Sequence, residues 1–430
     1  MTGFNDLAQA VAWVFALQKF GIKFGLNSTA ALVARLGLPL DRGRFIHIAG
    51  TNGKGSVAAM LSAALTRAGY PVALFTSPHL VRFNERFRLR DRDIPDQEVL
   101  GLINRVREVV DEAEPPTFFE FVTVMALLYF MNKGASPIIL ETGMGGRLDA
   151  TNIVNPILTV ITNIAMEHQD YLGETLSQIA GEKAGIIKPG APLVTYARQK
   201  RVLDLFRRST LKLDVPMYTG GVDFWAHGRG RGRFDYQGLD LTLADLRLSL
   251  AGRHQYPNAA LALAVLELLD QAGLPVAEEA IREGLAHTRW PGRLEQWAQD
   301  RRILLDGAHN PAAARALARA LKNSRGAGQN ILVLGIMADK DVDAMLNLLL
   351  PLGQTAIFTR PAYFRAADPE DLARRAQGFN LKTLVVPKIS EAVQQARTLA
   401  GPQDHIIITG SLYTVGEAKE FLEGAAGGGG

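Results

Sequence analysis

Phe45-Ile-His-Ile-Ala-Gly-Thr-Asn-Gly-Lys-Gly-Ser56 is the stretch on which the reading of this chain turns. A short apolar strand (Phe45, Ile46, Ile48) runs into a turn in which three of six residues are glycine. Val57, Met60, Leu61, Ala64 and Leu65 then recur at helical spacing. Glycines let backbone N–H groups converge on an anion, and a helix N-terminus adds roughly half a positive charge. Lys54 would offer an ammonium to outer phosphates and Ser56 a hydroxyl suited to Mg²⁺. The lysine precedes the last glycine, so the spacing departs from the usual G-x-x-x-x-G-K-[ST]. On these residues alone a tight structural turn remains the alternative.

Outward from this stretch, apolar strands alternate with helices. Pro71–Pro78, Ser136–Thr142 and Ile157–Thr162 read as strands, and Phe118–Phe130 as a buried helix. Residues 6–36 read as helical with a break at 25–29. Continuous apolar strands between helices predict a parallel sheet covered on both faces. Between about 213 and 256 the pattern changes to short alternating strands, at 222–225, 233–236 and 239–243. The Gly228–Arg233 run of alternating Gly and Arg is read as a solvated hairpin tip, not a nucleic-acid tract. Asn258–Ala272 reads as a helix. After a Pro/Gly interruption at 288–293, the hinge candidate, strands at 302–306, 331–335, 355–359, 384–387 and 405–409 alternate with helices. The fold class is therefore α/β. An N-terminal P-loop-type domain (1–290), with a parallel sheet and a small antiparallel segment, is expected before a smaller Rossmann-like α/β domain (291–425), with 426–430 a disordered glycine tail.

A length of 430 residues suits two domains, and 47% hydrophobic with 21% charged residues suits a soluble globular chain. No apolar run approaches a membrane span, and the N-terminus lacks a signal-like pattern. The absence of cysteine excludes disulfides, thiolate metal sites and cysteine nucleophiles. A cytoplasmic enzyme is expected. A formal charge of +4 is too small to argue for nucleic acid but is compatible with a polyanionic small substrate such as ATP.

Ligands of open α/β sheets gather at the carboxyl ends of the strands. Those ends carry Ser77, Pro78 and His79, then Glu141, then Asn163, Glu167, His168 and Asp170. Ser77, Glu141 and His168 would make a mixed oxygen and nitrogen set for Mg²⁺, although histidine is unusual for so hard an ion. A hydrogen-bonding core histidine and a salt-bridge glutamate remain alternatives.

Six stretches occur in order: Ala49–Ser56, Thr76–Leu80, Glu141–Asn152, Gly181–Ile186, Asp306–Pro311 and Gly410–Gly416. Together they closely resemble folylpolyglutamate synthase and dihydrofolate synthase, within the wider Mur ligase group, over roughly residues 20–417. The resemblance implies an ATPase role for the first domain and ATP-dependent amide formation, in which a substrate carboxylate is phosphorylated and the amine of L-glutamate attacks the acyl phosphate. Two unit charges about 4 Å apart repel by about 4 kcal/mol at an effective dielectric near 20, so Lys54 and divalent ions must screen carboxylate from γ-phosphate.

Carried over by motif, the resemblance assigns ATP binding to Thr51, Asn52, Gly53, Lys54, Gly55, Ser56, Asn258, Arg293, Asp306 and His309. It implies magnesium ligands at Ser77, Glu141 and His168, and a CO₂-derived carbamate on Lys183 that assists a second Mg²⁺. Lys54, Glu141, His168 and Lys183 would be the catalytic set. The alternatives are Lys183 paired with Glu182 or a phosphate, Asp306 as a helix cap and Arg293 in a surface ion pair. Folate or pteroate contacts would fall on Phe24, Gly25, Leu26, Arg82, Thr117, Phe118, Phe119, Glu120, Leu148, Asp149 and Ala150. Phe118 and Phe119 could equally be helix core.

The expected partners are ATP, L-glutamate and a folate or dihydropteroate, with neither nucleic acid nor membrane, for a monomer. Both glutamylation activities are expected, with a monofunctional folylpolyglutamate synthase as the alternative. A cell-wall Mur ligase would need a uridine-binding domain for which the roughly 44 preceding residues leave no room. A non-catalytic nucleotide sensor would need neither Glu141 nor Lys183.

Overall fold

The computed structural model describes residues 3–21, 25–323 and 328–427. The chain forms two compact units, Met1–Ser249 with Gln255–Arg289, and Leu250–His254 with Trp290–Gly430.

The first unit is built on an eight-stranded sheet. Its strands are β1 (Phe45–Ala49), β2 (Ala73–Phe75), β3 (Phe87–Leu89), β4 (Arg92–Asp93), β5 (Ile138–Glu141), β6 (Pro156–Ile161), β7 (Leu193–Thr195) and β8 (Met217–Thr219). They lie in the order β4-β3-β2-β5-β1-β6-β7-β8. From β2 to β8 all pairs are parallel. Every residue of β1 is buried, and its register sets Ile48 against Glu141 on one side and Ala49 against Ile161 on the other. The ends of β5, β1 and β6 therefore lie side by side.

The sheet is not purely parallel as its apolar runs suggested, because β3 and β4 add an antiparallel hairpin at one edge. Its two connecting residues, Arg90 and Asp91, both take positive φ. Such turns ordinarily announce themselves by Asn-Gly or Asp-Gly, and here no glycine marks the spot.

The helix after β1, Lys54–Arg67, is buried continuously from Gly55 to Leu65. It packs against helices Gln255–Gln271 and Glu278–His287. A Cβ on Gly284 would stand 2.5 Å from the Ala64 Cα, so the missing side chain is what permits that crossing. The helix Phe118–Asn132 starts at a capping box in which the Thr117 hydroxyl accepts from Glu120 N–H and the Glu120 carboxylate accepts from Thr117 N–H.

The region of changed character forms a separate antiparallel sheet of β9 (Trp225–Gly230), β10 (Arg233–Gln237) and β11 (Thr242–Arg247). The Gly/Arg run lies at its first turn, where Arg229 pairs with Asp235 and Arg233 with Asp245. These arginines are spent on neighbouring strands of their own hairpins.

The second unit holds β12 (Glu295–Gln296), β13 (Ile303–Asp306), β14 (Asn330–Leu334), β15 (Thr355–Arg360), β16 (Lys382–Lys388) and β17 (His405–Thr409). Their order is β12-β13-β17-β14-β15-β16, parallel except for the short edge strand β12, which lay outside the expected set. The helix Leu412–Gly427 takes in residues 426 and 427, where the glycine tail was expected to begin, and 428–430 lie outside the described residues. No helix among the described residues is long and apolar enough to cross a membrane.

Candidate active site

The loop after β1 is held by its neighbour strand. Thr51 N–H donates to the Asn163 carbonyl (2.9 Å), and Asn52 N–H to the Asn163 side chain (3.1 Å). Thr162 and Asn163 side chains both donate back to the Asn52 carbonyl, at 2.8 and 2.7 Å. Thr51 Oγ1 accepts from Ala165 N–H at 3.1 Å. Gly50 has φ 140°, and a Cβ there would fall 1.9 Å from Thr162 Oγ1. Gly53 caps the helix at φ 88°, pressed against Asn258. Asn258 donates to Gln255, whose amide reaches Ser56 Oγ at 3.4 Å. Thr51 to Ser56 and Asn258 thus form one assembly, to which Asn163 and Gln255 belong although the sequence reading gave neither a role. Asn163 was noted only as a residue following a strand, and Gln255 fell in the segment read as short strands, whereas the helix expected from Asn258 begins at Gln255.

Two ammonium groups meet on one carbonyl oxygen. Lys54 Nζ donates to Gly50 O at 3.1 Å and to Thr51 O at 3.3 Å. Lys183 Nζ donates to the same Gly50 O at 2.8 Å and to Glu167 Oε1 at 3.1 Å. The two nitrogens therefore lie within about 6 Å, where like charges repel by about 3 kcal/mol at an effective dielectric near 20. Lys183 is 1% exposed, and burial pushes its pKa down to about 8, with Lys54 lowering it further against Glu167. Glu182 is not its partner, since that carboxylate pairs with Arg147 at 2.9 Å near the surface.

Glycines bring Lys183 there. A Cβ on Gly146 would lie 2.9 Å from the Glu182 carbonyl and 3.0 Å from that of Lys183, so the Gly143–Gly146 turn lies directly on helix Leu176–Ala184. Asn152 fastens the contact by donating to the carbonyls of Arg147 (2.9 Å) and Gly185 (3.1 Å).

Of the expected metal ligands, Ser77 and Glu141 are adjacent, with Ser77 N–H 3.3 Å from Glu141 Oε2. Glu141 is 5% exposed at the end of β5. His168 follows β6 in the left-handed conformation, φ 49° and ψ 42°, an arrangement that costs a non-glycine residue energy. No three His, Asp or Glu side chains among the described residues cluster as a metal site by themselves. Hydroxyl and carboxylate oxygens are the hard donors that Mg²⁺ takes, and they fit such an ion with phosphate oxygens completing its shell.

The expected folate contacts divide. Phe24 lies outside the described residues. Gly25 (φ 138°) and Leu26 lead into helix Asn27–Arg35. Thr117 and Glu120 are spent on their capping box. Phe118 stacks on Phe15 (5.3 Å, 18°), and Phe119 leans on Phe75 (5.9 Å). Leu148 is half-buried and Ala150 buried. Asp149 accepts from Met144 N–H (2.9 Å), Thr151 N–H (3.0 Å) and the Thr151 hydroxyl (2.5 Å), while burial raises its pKa.

Arg82 points outward to Asp96 at 2.7 Å. The buried arginine is Arg86, which donates to His79 Nδ1 (2.7 Å) and lies over the Phe118 ring at 5.2 Å. Burial and Arg86 push the His79 pKa down to about 3, which leaves Nδ1 free to accept. Nothing in local spacing distinguishes Arg86 from Arg82.

In the second unit, Asp306 accepts from Leu294 N–H (2.9 Å) and Ala308 N–H (3.0 Å). It joins two loops and does not cap the following helix, a role that falls to Asn310 through Ala313 N–H (2.9 Å). Burial raises the Asp306 pKa, opposed by Arg293, so Arg293 is no bare surface pair. His309 Nδ1 is 2.9 Å from the Gly307 carbonyl.

Known proteins share this sequence pattern and fold. Residues 48–266 match the Mur ligase middle domain, and residues 292–412 the Mur ligase glutamate ligase domain. The dihydrofolate synthase/folylpolyglutamate synthase of Bacillus subtilis is 36% identical over 98% of this chain and 100% of its own length. The structure of Escherichia coli FolC in complex with DHPP and ADP superposes with a TM-score of 0.89 at 30% identity, covering 97% of this chain and 98% of that one. The bifunctional folylpolyglutamate synthase/dihydrofolate synthase of Yersinia pestis, complexed with AMPPNP and Mn ion, gives a TM-score of 0.88 at 31% identity, over 98% of this chain and all of that one. The chain belongs to the folylpolyglutamate synthase/dihydrofolate synthase family of Mur ligases.

Proposed function

We propose that this chain is an ATP-dependent ligase that adds L-glutamate to folates and to dihydropteroate through an acyl phosphate. One observation carries the reading: two lysine ammonium groups converge on the Gly50 carbonyl beside a helix N-terminus. Such a concentration of positive charge suits a triphosphate and the charge that develops as a phosphoryl group moves. A substrate carboxylate oxygen would attack the γ-phosphorus, with ADP leaving. The glutamate amine would then attack the acyl carbon, forming the amide and releasing phosphate.

The nucleotides, Mn and DHPP named for the relatives support this choice of substrates. Ser77, Glu141 and His168 would hold one Mg²⁺, which supplies positive charge next to the transferring group. Lys183 as a carbamate would help hold a second. That modification would reverse the charge facing Lys54, turning repulsion into attraction. It would also set a second anion against Glu167, which favours a cation between them. Asn258, Arg293, Asp306 and His309 are proposed as nucleotide contacts, and a monomer as the assembly. For the folate side we favour Phe118, Phe119 and Leu148–Ala150 over the outward-turned Arg82.

The test incubates the purified chain with MgATP and L-glutamate, and with dihydropteroate or tetrahydrofolate in parallel, and reads products by mass spectrometry. Both should gain glutamate while ADP accumulates. Product from tetrahydrofolate alone would leave the monofunctional enzyme, and ADP formation with neither acid would overturn the reading.

A further inference from the structure

One buried ring near this site has no part in the chemistry so far. His47 lies in the middle of β1, fully buried, with Nε2 2.8 Å from Thr151 Oγ1. The Thr151 hydroxyl lies 2.5 Å from Asp149 Oδ1 and donates to it. A hydroxyl has one proton, and here the carboxylate takes it, so the ring must be the donor through Nε2–H. Nδ1 is then an acceptor with no partner, and a second ring proton would find nothing to bond. The ring is neutral in one tautomer, in keeping with a pKa lowered to about 3 by burial and by Lys188. An orphaned buried nitrogen costs stability, and a β-branched apolar residue would fill a central strand without that cost. What the histidine adds is a donor aimed at Thr151.

We propose that His47 is a positioning residue for the acid-substrate pocket. Through Thr151 it fixes the Asp149 carboxylate between the Met144 N–H and the turn Ala150–Ile153, and so sets the wall Leu148–Ala150. The inference rests on the folate reading of that wall. His47 reaches neither Lys54 nor the phosphate loop by hydrogen bond, so its effect belongs to the acid and not to ATP.

The test compares the unaltered enzyme with His47→Val, His47→Gln, Thr151→Val and the double substitution His47→Val/Thr151→Val. His47→Val should raise KM for dihydropteroate roughly tenfold, the size of one lost buried hydrogen bond, and leave KM for ATP and kcat unchanged. His47→Gln, whose amide can donate to Thr151, should restore most of the loss. The double substitution should be no worse than Thr151→Val alone. An unchanged KM for dihydropteroate, or equal losses toward ATP and the acid without rescue by glutamine, overturns the proposal.

Should His47→Val fail to fold, the ¹⁵N shifts of the His47 ring in the unaltered protein decide. A neutral Nε2–H tautomer from pH 5 to 8 supports the relay, and an Nδ1–H tautomer or a titrating ring overturns it. An unaltered protein that ignores dihydropteroate yet shows the expected tautomer would sink the substrate reading and leave the relay standing.

Discussion

Gly50 after β1 and Gly410 after β17 follow central strands in the parallel parts of the two sheets, and they serve opposite ends. Both have positive φ, 140° and 108°, and both leave no space for a Cβ. Around Gly50 the neighbours are charged: two lysine amines share its carbonyl, with Glu167 beside one of them. Around Gly410 they are neutral. A Cβ on it would meet the Gly335 carbonyl at 2.6 Å, and that carbonyl already accepts from the Thr414 hydroxyl, itself bonded to Ser411. The second arrangement satisfies itself. The first holds like charges together and would be relieved by an anion, which is the physical difference expected between a binding loop and a structural turn.

The largest expected effect breaks the charged end. Lys54→Ala should lower kcat/KM by about a thousandfold or more, the loss seen when a group stabilising transition-state charge is removed. Thermal stability should fall little or rise, because the substitution relieves the repulsion with Lys183. Phosphate release and a melting curve on the same sample check both halves, and near-normal turnover would remove Lys54 from the chemistry.

Lys183→Ala should cost about a hundredfold in turnover, partly restored by short carboxylic acids that stand in for a carbamate. The unaltered enzyme should also lose activity in CO₂-depleted buffer and regain it with bicarbonate. Lys183→Ala breaks an ion pair whose side chains are only 2% and 8% exposed, so this variant should also lose a few kcal/mol of stability in urea unfolding. Full activity without rescue would leave Lys183 as half of a structural ion pair.

Next come the two glycines. Gly50→Ala and Gly410→Ala should each cost about 2–4 kcal/mol in urea unfolding, from a strained φ and a blocked Cβ. Their activities should separate. Gly50→Ala moves the carbonyl that orders both lysines and should lose ATP turnover beyond its stability loss, whereas Gly410→Ala should lose activity only as far as it unfolds. Equal behaviour would dissolve the distinction between the two loops.

The same contrast explains what could be read from the chain in advance. The glycine loop after β1 was legible because glycines at fixed spacing mark where backbone must come close, whereas Lys183 and the turn after β5 were picked out only by the family resemblance. Strands such as Ile331–Leu334 declared themselves by uninterrupted apolar residues. The β3–β4 hairpin hid because Arg90 and Asp91 take φ values that their side chains do not advertise. Arg86 and His47 hid because burial of a polar side chain depends on what packs over it, and no local pattern encodes that. Arg82 was preferred for following the Ser77 turn, yet a distant partner, Asp96, holds it outward.

Asp306 is where the contrast is least clean, since it brings an ionisable group to the end of β13, level with Thr409 beside the neutral Gly410 turn. Its carboxylate accepts two backbone N–H groups, and burial nevertheless raises its pKa, with Arg293 opposing. The native state therefore keeps a proton that the unfolded chain has released. As pH rises from the unfolded value of 3.8 through the native one, the native state loses stability. The loss is about 1.4 kcal/mol for each unit by which the two values differ. Asp306→Asn cannot ionise and escapes that loss, though its NH₂ faces a backbone N–H and costs about 1–3 kcal/mol at every pH. Urea midpoints from pH 4 to 7 should show the gap between the two proteins narrowing as pH rises. A gap that widens would mean that Arg293 and the two N–H donors outweigh burial, and that the second sheet, like the first, is built around a charge.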